Sequence, residues 1–278
     1  MGQKDLAQKN LEFYPDVFAD IINALLYKGE PVVKSEELMA APTENLYLGK
    51  EGDIRNLYQD ISKYVVENGK IKAQYSVENE IQAKKKMVLR KAGYEGAVYR
   101  QMFEGKEIYP VINIVLYWGK GKWKQPQSIH QLFDGKVPEK IKRYIDDIRL
   151  HVFNMRKLPK EVRELFHSDM RIVVDYLAEG AEYTPSNKKI VHLEELLLLL
   201  SKISDDDRYK KLIQLATQSG QKGGMSMCEL LDKYEKKGEE KLACLVDKLF
   251  NAGRVKDLQE IVKNIEYREQ LYREYGIV

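Results

Sequence analysis

The segment "DISKYVVENGKIKAQYSVENEI", residues 60–81, constrains this chain more than any other stretch. Asn68-Gly69 is the dipeptide that favours a two-residue β-hairpin turn, because both turn positions need positive φ. Its flanks, "ISKYVV" and "AQYSV", are rich in β-branched and aromatic residues. Folding about this pair joins positions whose numbers add to roughly 137, so Asp60 falls opposite Tyr75 to Glu78. Glu78 and Glu80 lie two apart on the second strand, and a strand projects such residues onto one face roughly 6–7 Å apart. Carboxylates that close repel unless a proton or cation sits between them. The stretch therefore asks for a metal, for exposure to water at a polar strand end, or for basic neighbours.

Around the hairpin the first half alternates helix and strand. "FYPDVFADIINALLY" carries apolar residues at 18, 21, 22, 25 and 26, the helical spacing, with Pro15 suited to the first turn. "GEPVVKSEELMAAPTENLYLGKEGD" reads as a polar connection punctuated by Pro31, Pro42, Gly49 and Gly52. After the hairpin a helix is expected from Ala83 to about Phe103. "IYPVINIVLYWG" then reads as a buried strand. Beyond about residue 155 the pattern turns all-helical, as in "VHLEELLLLLSKI" and "ISDDDRYKKLIQLA". "TQSGQKGG", 217–224, is the best linker candidate. Ser226 and Glu229 fit a capping box, Leu242, Leu245, Val246, Leu249 and Phe250 form a stripe, and Gly253 ends that helix. The expected fold is α/β (α+β): a mixed sheet flanked by helices over residues 1–155, then a helical region over 156–278.

Composition excludes some classes. With 44% apolar and 32% charged residues the 278-residue chain is globular, and its net charge of +3 demands neither nucleic acid nor membrane. No apolar run approaches a membrane span; the longest is Leu196 to Leu200. "MGQKDL" has no apolar signal core, and Leu6 stands where a myristoylation site wants Ser or Thr. Two cysteines, Cys228 and Cys244, lie in one expected helix about 24 Å apart and cannot bridge within it. They suit a cytoplasmic protein. Residues 227–278 hold 10 basic and 11 acidic side chains, a poor nucleic-acid binder. By contrast, 84–106 hold seven Lys or Arg against two Glu, directly after the acids. A basic helix beside a hard-cation site for Mg²⁺ or Mn²⁺ is what a phosphodiester substrate requires.

Asp60, "VENEI", Met87, Arg90 and Tyr94, "YPVINIVLYWGKGKW" and "SIHQLF" together resemble the PD-(D/E)XK nuclease-family transposases, the recombination-promoting, YhgA-like nucleases. In that family a strand Asp precedes a strand "IENQ", a helix with Met-x-x-Arg-x-x-x-Tyr, and a P-V-I-x-x-V-x-Y-x-G-x-x-x-W strand and turn. The tail from "GRVKDLQEIV" onward also resembles members of the family. The resemblance implies a restriction-endonuclease-like core and Mg²⁺-dependent DNA cleavage. Asp60 and Glu78 would then hold one or two divalent ions, with Glu80 completing the coordination or acting as general base. Asp20 on the first helix is a further candidate ligand, and Asn23 and Gln82 are candidate accessories. Lys84, Lys85, Lys86 and Arg90 are candidates for the DNA backbone, Arg90 alternatively an internal ion-pair partner.

One departure stands out. This chain has Glu80 where the branch has Gln and the wider superfamily Lys, so the strand supplies no positive charge. A catalytically impaired DNA-binding or regulatory relic of the family is therefore an alternative. So is an interaction protein acting, or assembling into homo-oligomers, through its helical tail. His130 suits an ordered turn, and His151, His167 and His192 lack ligand spacing. "YWGKGKW" lacks the P-loop spacing, and its aromatics suit packing better than base stacking.

Overall fold

The hairpin forms as the sequence predicts. Asn68 and Gly69 take φ of 52° and 72° and join strands Ile61–Glu67 and Lys70–Glu80. A register shift between Val65 and Val66 moves the later pairing by one residue, so Ile61 faces Val77 and Asp60 stands at the level of Glu78. The computed structural model describes residues 3–48, 54–105, 107–204, 206, 208–220 and 223–277.

The chain divides into two units, Met1–Thr184 with Glu194–Asp206, and Pro185–Leu193 with Asp207–Val278. The first opens with α1 (Gln3–Glu12), α2 (Pro15–Leu26), β1 (Leu38–Ala40), β2 (Glu44–Leu48) and β3 (Ile54–Tyr58). The hairpin strands are β4 and β5; α3 (Met87–Glu104), β6 (Val111–Tyr117), α4 (Ile129–Leu132), α5 (Glu139–Lys142) and β7 (His151–Asn154) follow. Helices α6 (Lys160–Arg163), α7 (Met170–Glu179) and α8 (Leu193–Ile203) complete it, Leu193 being counted with the second unit.

The main sheet has the order β1-β4-β5-β6-β7, antiparallel from β1 to β5 and parallel from β5 to β7, so the α/β class with a mixed sheet is observed. β2 and β3 pair separately. Side chains alternate across β5. Tyr75, Val77 and Asn79 face α1 and α2, where the Tyr75 and Tyr27 hydroxyls lie 2.6 Å apart and the Asn79 amide donates to Glu12. Gln74, Ser76, Glu78 and Glu80 face α3, whose Met87 and Val88 pack with Val115 of β6.

Several expectations shift. The polar connection contains β1 and β2, and β3 follows it; each is at most five residues long, and Gly49 and Gly52 lie outside the described residues. The four-residue edge strand β7 was equally hidden. Helix α3 starts at Met87 and not Ala83, with no side-chain cap at Lys86. Three successive lysines repel one another and the positive end of a helix dipole, so 84–86 stay in a turn. The first unit runs past residue 155 because α2 holds the segment beyond it. Asp20 accepts the backbone N–H groups of His167 and Ser168 and the Ser168 hydroxyl, at 2.6–3.0 Å.

In the second unit α9 (Arg208–Ser219) precedes α10 (Met227–Asn251), α11 (Val255–Lys263) and α12 (Ile265–Glu274). The candidate linker, 217–224, lies inside this unit: its residues 217–219 belong to α9, and 221–222 are outside the described residues. Ile190 ties the segment down, donating to Met225 and accepting from Gly224. The capping box at Ser226 and Glu229 forms, and Gly253 follows α10 with φ of 66°. Leu245 and Leu249 are buried with Ile261 and Leu271, whereas Val246 and Phe250 of the same stripe are exposed. Cys228 and Cys244 share α10 as free thiols. Among the described residues no helix is long and apolar enough to cross a membrane.

Asp20 therefore serves as a staple between α2 and the segment before α7. Replacing it by Ala should cost about 1–3 kcal/mol of stability in urea unfolding, by leaving two backbone N–H groups unsatisfied. Divalent-metal affinity should be unchanged; a loss of metal binding in the folded variant would give Asp20 back its ligand role.

Candidate active site at the end of strand β5

Three acids lie where β4 begins and β5 ends. Asp60 precedes β4 and accepts the Asn79 backbone N–H at 2.7 Å, which fixes its carboxylate against β5. Its other oxygen lies 2.8 Å from Lys9 of α1. Glu78 and Glu80 are 2% and 3% exposed, so they do not form a solvated strand end. They are compensated from α3 and its approach. Arg90 places its guanidinium 3.3 Å from Glu78 and 3.2 Å from Glu80, and Lys84 reaches Glu80 at 2.7 Å.

Arg90 is itself held in place. Its guanidinium donates to the Tyr58 carbonyl at 3.0 Å and to the Tyr94 hydroxyl at 2.5 Å, and the fully buried Tyr94 also donates to the Tyr58 carbonyl. The spacing from Arg90 to Tyr94 is one helical turn, so both reach one point beneath α3. The sequence alternative of an internal ion pair describes the position Arg90 takes.

Compensation of Glu78 is incomplete. Its Oε1 is buried and has no hydrogen-bond partner. Burial first, then the charges of Asp60 and Glu80, push its carboxyl up to about 8, with Arg90 pulling the other way. Among the described residues no three His, Cys, Asp or Glu side chains stand close enough to hold a metal ion; cationic side chains lie on the carboxylates of Asp60, Glu78 and Glu80. The donor set still fits a hard cation in kind, being three carboxylates with one buried, unpartnered oxygen.

The remaining candidates separate. β5 ends at Glu80, so Gln82 leaves the alternating face and lies exposed in the following bend. Asn23 anchors the loop after α2, bonding both the N–H and the carbonyl of Val33. Asp20 is held by residues 167 and 168. Lys84, Lys85 and Lys86 are exposed.

Two features lay outside the sequence reading. Glu12, fully buried at the end of α1, accepts from the Asn79 side-chain NH₂ at 2.6 Å, while the Asn79 side-chain oxygen accepts from the Trp118 indole N–H. The first-helix acid near the site is thus Glu12, one helix before Asp20. Gln8, one turn before it on α1, is buried with it. Beneath α3 a buried polar chain also runs from Gln59 to Asn113, Glu95 and Lys91.

Residues 51–215 match the family described as "Putative transposase, YhgA-like". The chain belongs to that family. No curated protein and no solved structure matches it. The match to the YhgA-like transposases spans Asp60, Glu78, Glu80, Arg90 and Tyr94, and Glu12 falls before it.

The raised Glu78 value sets a pH dependence. Between the ordinary value of 4.5 and about 8 the folded state holds a proton that the unfolded chain releases. That contribution to stability is complete below the ordinary value and is lost as pH rises through the folded one. Chemical unfolding should show wild type losing on the order of a few kcal/mol between about pH 5 and pH 9 that Glu78→Gln does not lose. Parallel pH profiles for the two proteins would contradict this.

Proposed function

We propose that this YhgA-like transposase is a metal-dependent DNA endonuclease of the recombination type, hydrolysing phosphodiester bonds with Mg²⁺ or Mn²⁺. One observation carries the reading: Asp60 stands level with Glu78 at the strand end that also bears Glu80, inside the family match, with a Glu78 oxygen buried and unpartnered. Acids without a task would not be expected to tolerate such burial, since an unpaired carboxylate oxygen costs free energy. The cytoplasm, where cellular DNA and reduced cysteines are found together, is the compartment that suits it.

Asp60 and Glu78 would hold the cation, with Glu80 completing the set or accepting a proton from the attacking water. When bound, such an ion lowers the pKa of a coordinated water and stabilises charge on the scissile phosphate. Arg90 provides the positive charge that the β5 motif lacks, because its guanidinium reaches the same carboxylates from α3. Asn79 keeps Asp60 in position through its backbone N–H. Assembly of copies through the C-terminal helices belongs to the same proposal, supported by Val246 and Phe250, exposed one turn apart on α10.

Plasmid nicking with Mg²⁺, with Mn²⁺ and with EDTA tests the reading. Asp60→Asn and Glu78→Gln should each lower cleavage by at least about a hundredfold while remaining folded, and should lose the Mn²⁺-induced rise in melting temperature. Retention of both cleavage and metal stabilisation in Asp60→Asn would refute it. Glu80→Gln, which restores the usual family residue, should weaken Mn²⁺ binding yet preserve or raise cleavage. Lower cleavage at unchanged metal affinity would instead make Glu80 the general base.

A further inference from the structure

The parallel strands β5, β6 and β7 end at one edge of the sheet, with Glu80 level with Tyr117 and Tyr117 level with Asn154. Each strand end leads into a basic loop. Beyond β5 come Lys84, Lys85 and Lys86; beyond β6, "WGKGKWK" carries Lys120, Lys122 and Lys124 with no acid; beyond β7 come Arg156 and Lys157. Lys85, Lys86, Lys120, Lys122, Lys124 and Lys157 are exposed, and among the described residues none has an acidic side chain at ion-pair distance. Neighbouring strands lie about 4.8 Å apart, so three adjacent loops bring these charges to one edge.

The loops are braced against one another. The Asn154 amide donates to the Gly121 carbonyl at 2.9 Å, and the Arg156 guanidinium donates to the Trp118 carbonyl at 3.0 Å, joining the β6 loop to the β7 loop. Gly119 joins it to the β5 loop, since a Cβ there would sit 2.6 Å from the Ile81 carbonyl oxygen and against the Tyr117 hydroxyl. Trp118 is buried, and Trp123 stacks edge-on to Tyr117 at 5.4 Å, so the aromatics of this stretch anchor the loop from beneath. The lysines project from a fixed base, which lowers the ordering cost of meeting a regular polyanion.

We propose that the 119–124 loop, with Lys85, Lys86 and Lys157, is a preorganised phosphate-binding rim that seats the backbone of duplex DNA across the acidic end of β5. This deepens the nuclease reading, and rests on it for the identity of the polyanion. The rim's contacts are electrostatic and carry no base readout, so binding should be independent of sequence and steeply dependent on salt.

Fluorescence anisotropy of a labelled DNA duplex in EDTA measures this without metal or cleavage. The triple variant K120A/K122A/K124A should lose about tenfold or more in affinity near 0.15 M salt, and its log–log salt slope should flatten by about 2–3, one phosphate contact per lysine. The charge-preserving triple Lys→Arg variant should bind as wild type, which excludes a folding defect. Alanine replacement of Lys236, Lys237 and Lys241 on α10 should change neither quantity. Unchanged affinity and slope in the loop variant, or a loss confined to an RNA duplex of the same sequence, would overturn the rim. So would absence of duplex binding by wild type. A wild type that binds through the rim but never cleaves would overturn the nuclease reading alone.

Discussion

Arg90 reaches from α3 to the end of β5 and lies against two carboxylates that the fold has withdrawn from water, at 3.3 Å from Glu78 and 3.2 Å from Glu80. Much of the surrounding architecture follows from that contact. Two acids on one strand face cannot both be buried and ionised without a cation between them. The guanidinium's planar fork suits the task, since it also donates to the Tyr58 carbonyl and the Tyr94 hydroxyl. In doing so it couples helix α3 to strands β3 and β5. Removing it would leave buried charge uncompensated, a larger penalty than the pair's own net contribution to stability.

The polar character of this side of the sheet extends below the acids. Ser62 and Ser76 place their hydroxyls 2.9 Å apart across β4 and β5, and Gln74 donates to Ser62. Such a face is an uneconomical way to stabilise a domain, because each group must find a partner in a low-dielectric setting. The other face, toward α1 and α2, buries Phe18, Ile21, Ile22, Val77, Ile114 and Leu116 and carries the larger apolar share. The sheet thus has a packing side and a side on which polar and charged groups collect beneath α3.

Legibility from sequence followed the strength of local physics. The Asn68-Gly69 turn, the Pro15 start of α2, the buried β6 and the Ser226 capping box are set by neighbours within a few residues, and all were readable. Convergence of Asp60 with Glu78 was readable too, since hairpin register follows from the turn; only the bulge at Val65/Val66 had to be observed. Burial of the acids was not readable, because it depends on α3 docking its Arg90 and Tyr94 from another part of the chain. Asp20 misled for a related reason. An acid on the first amphipathic helix suits a metal site, yet its partners lie nearly 150 residues away at His167 and Ser168. Glu12 was overlooked because nothing local distinguishes a buried helical acid from a solvated one. The basic loop after β6 looked like a glycine motif without a ligand, and only the shared edge of three parallel strands set its lysines beside the acids.

The central claim is that the carboxylates at the end of β5 form a divalent-cation site within a transposase-family fold. Crystals of the full chain soaked in Mn²⁺ and measured at the manganese edge test it most directly. The account predicts an anomalous peak between the carboxylates of Asp60 and Glu78, absent from crystals of Glu78→Gln treated in the same way. No peak at those carboxylates under saturating Mn²⁺, with Arg90 still seated on Glu78 and Glu80, would contradict it.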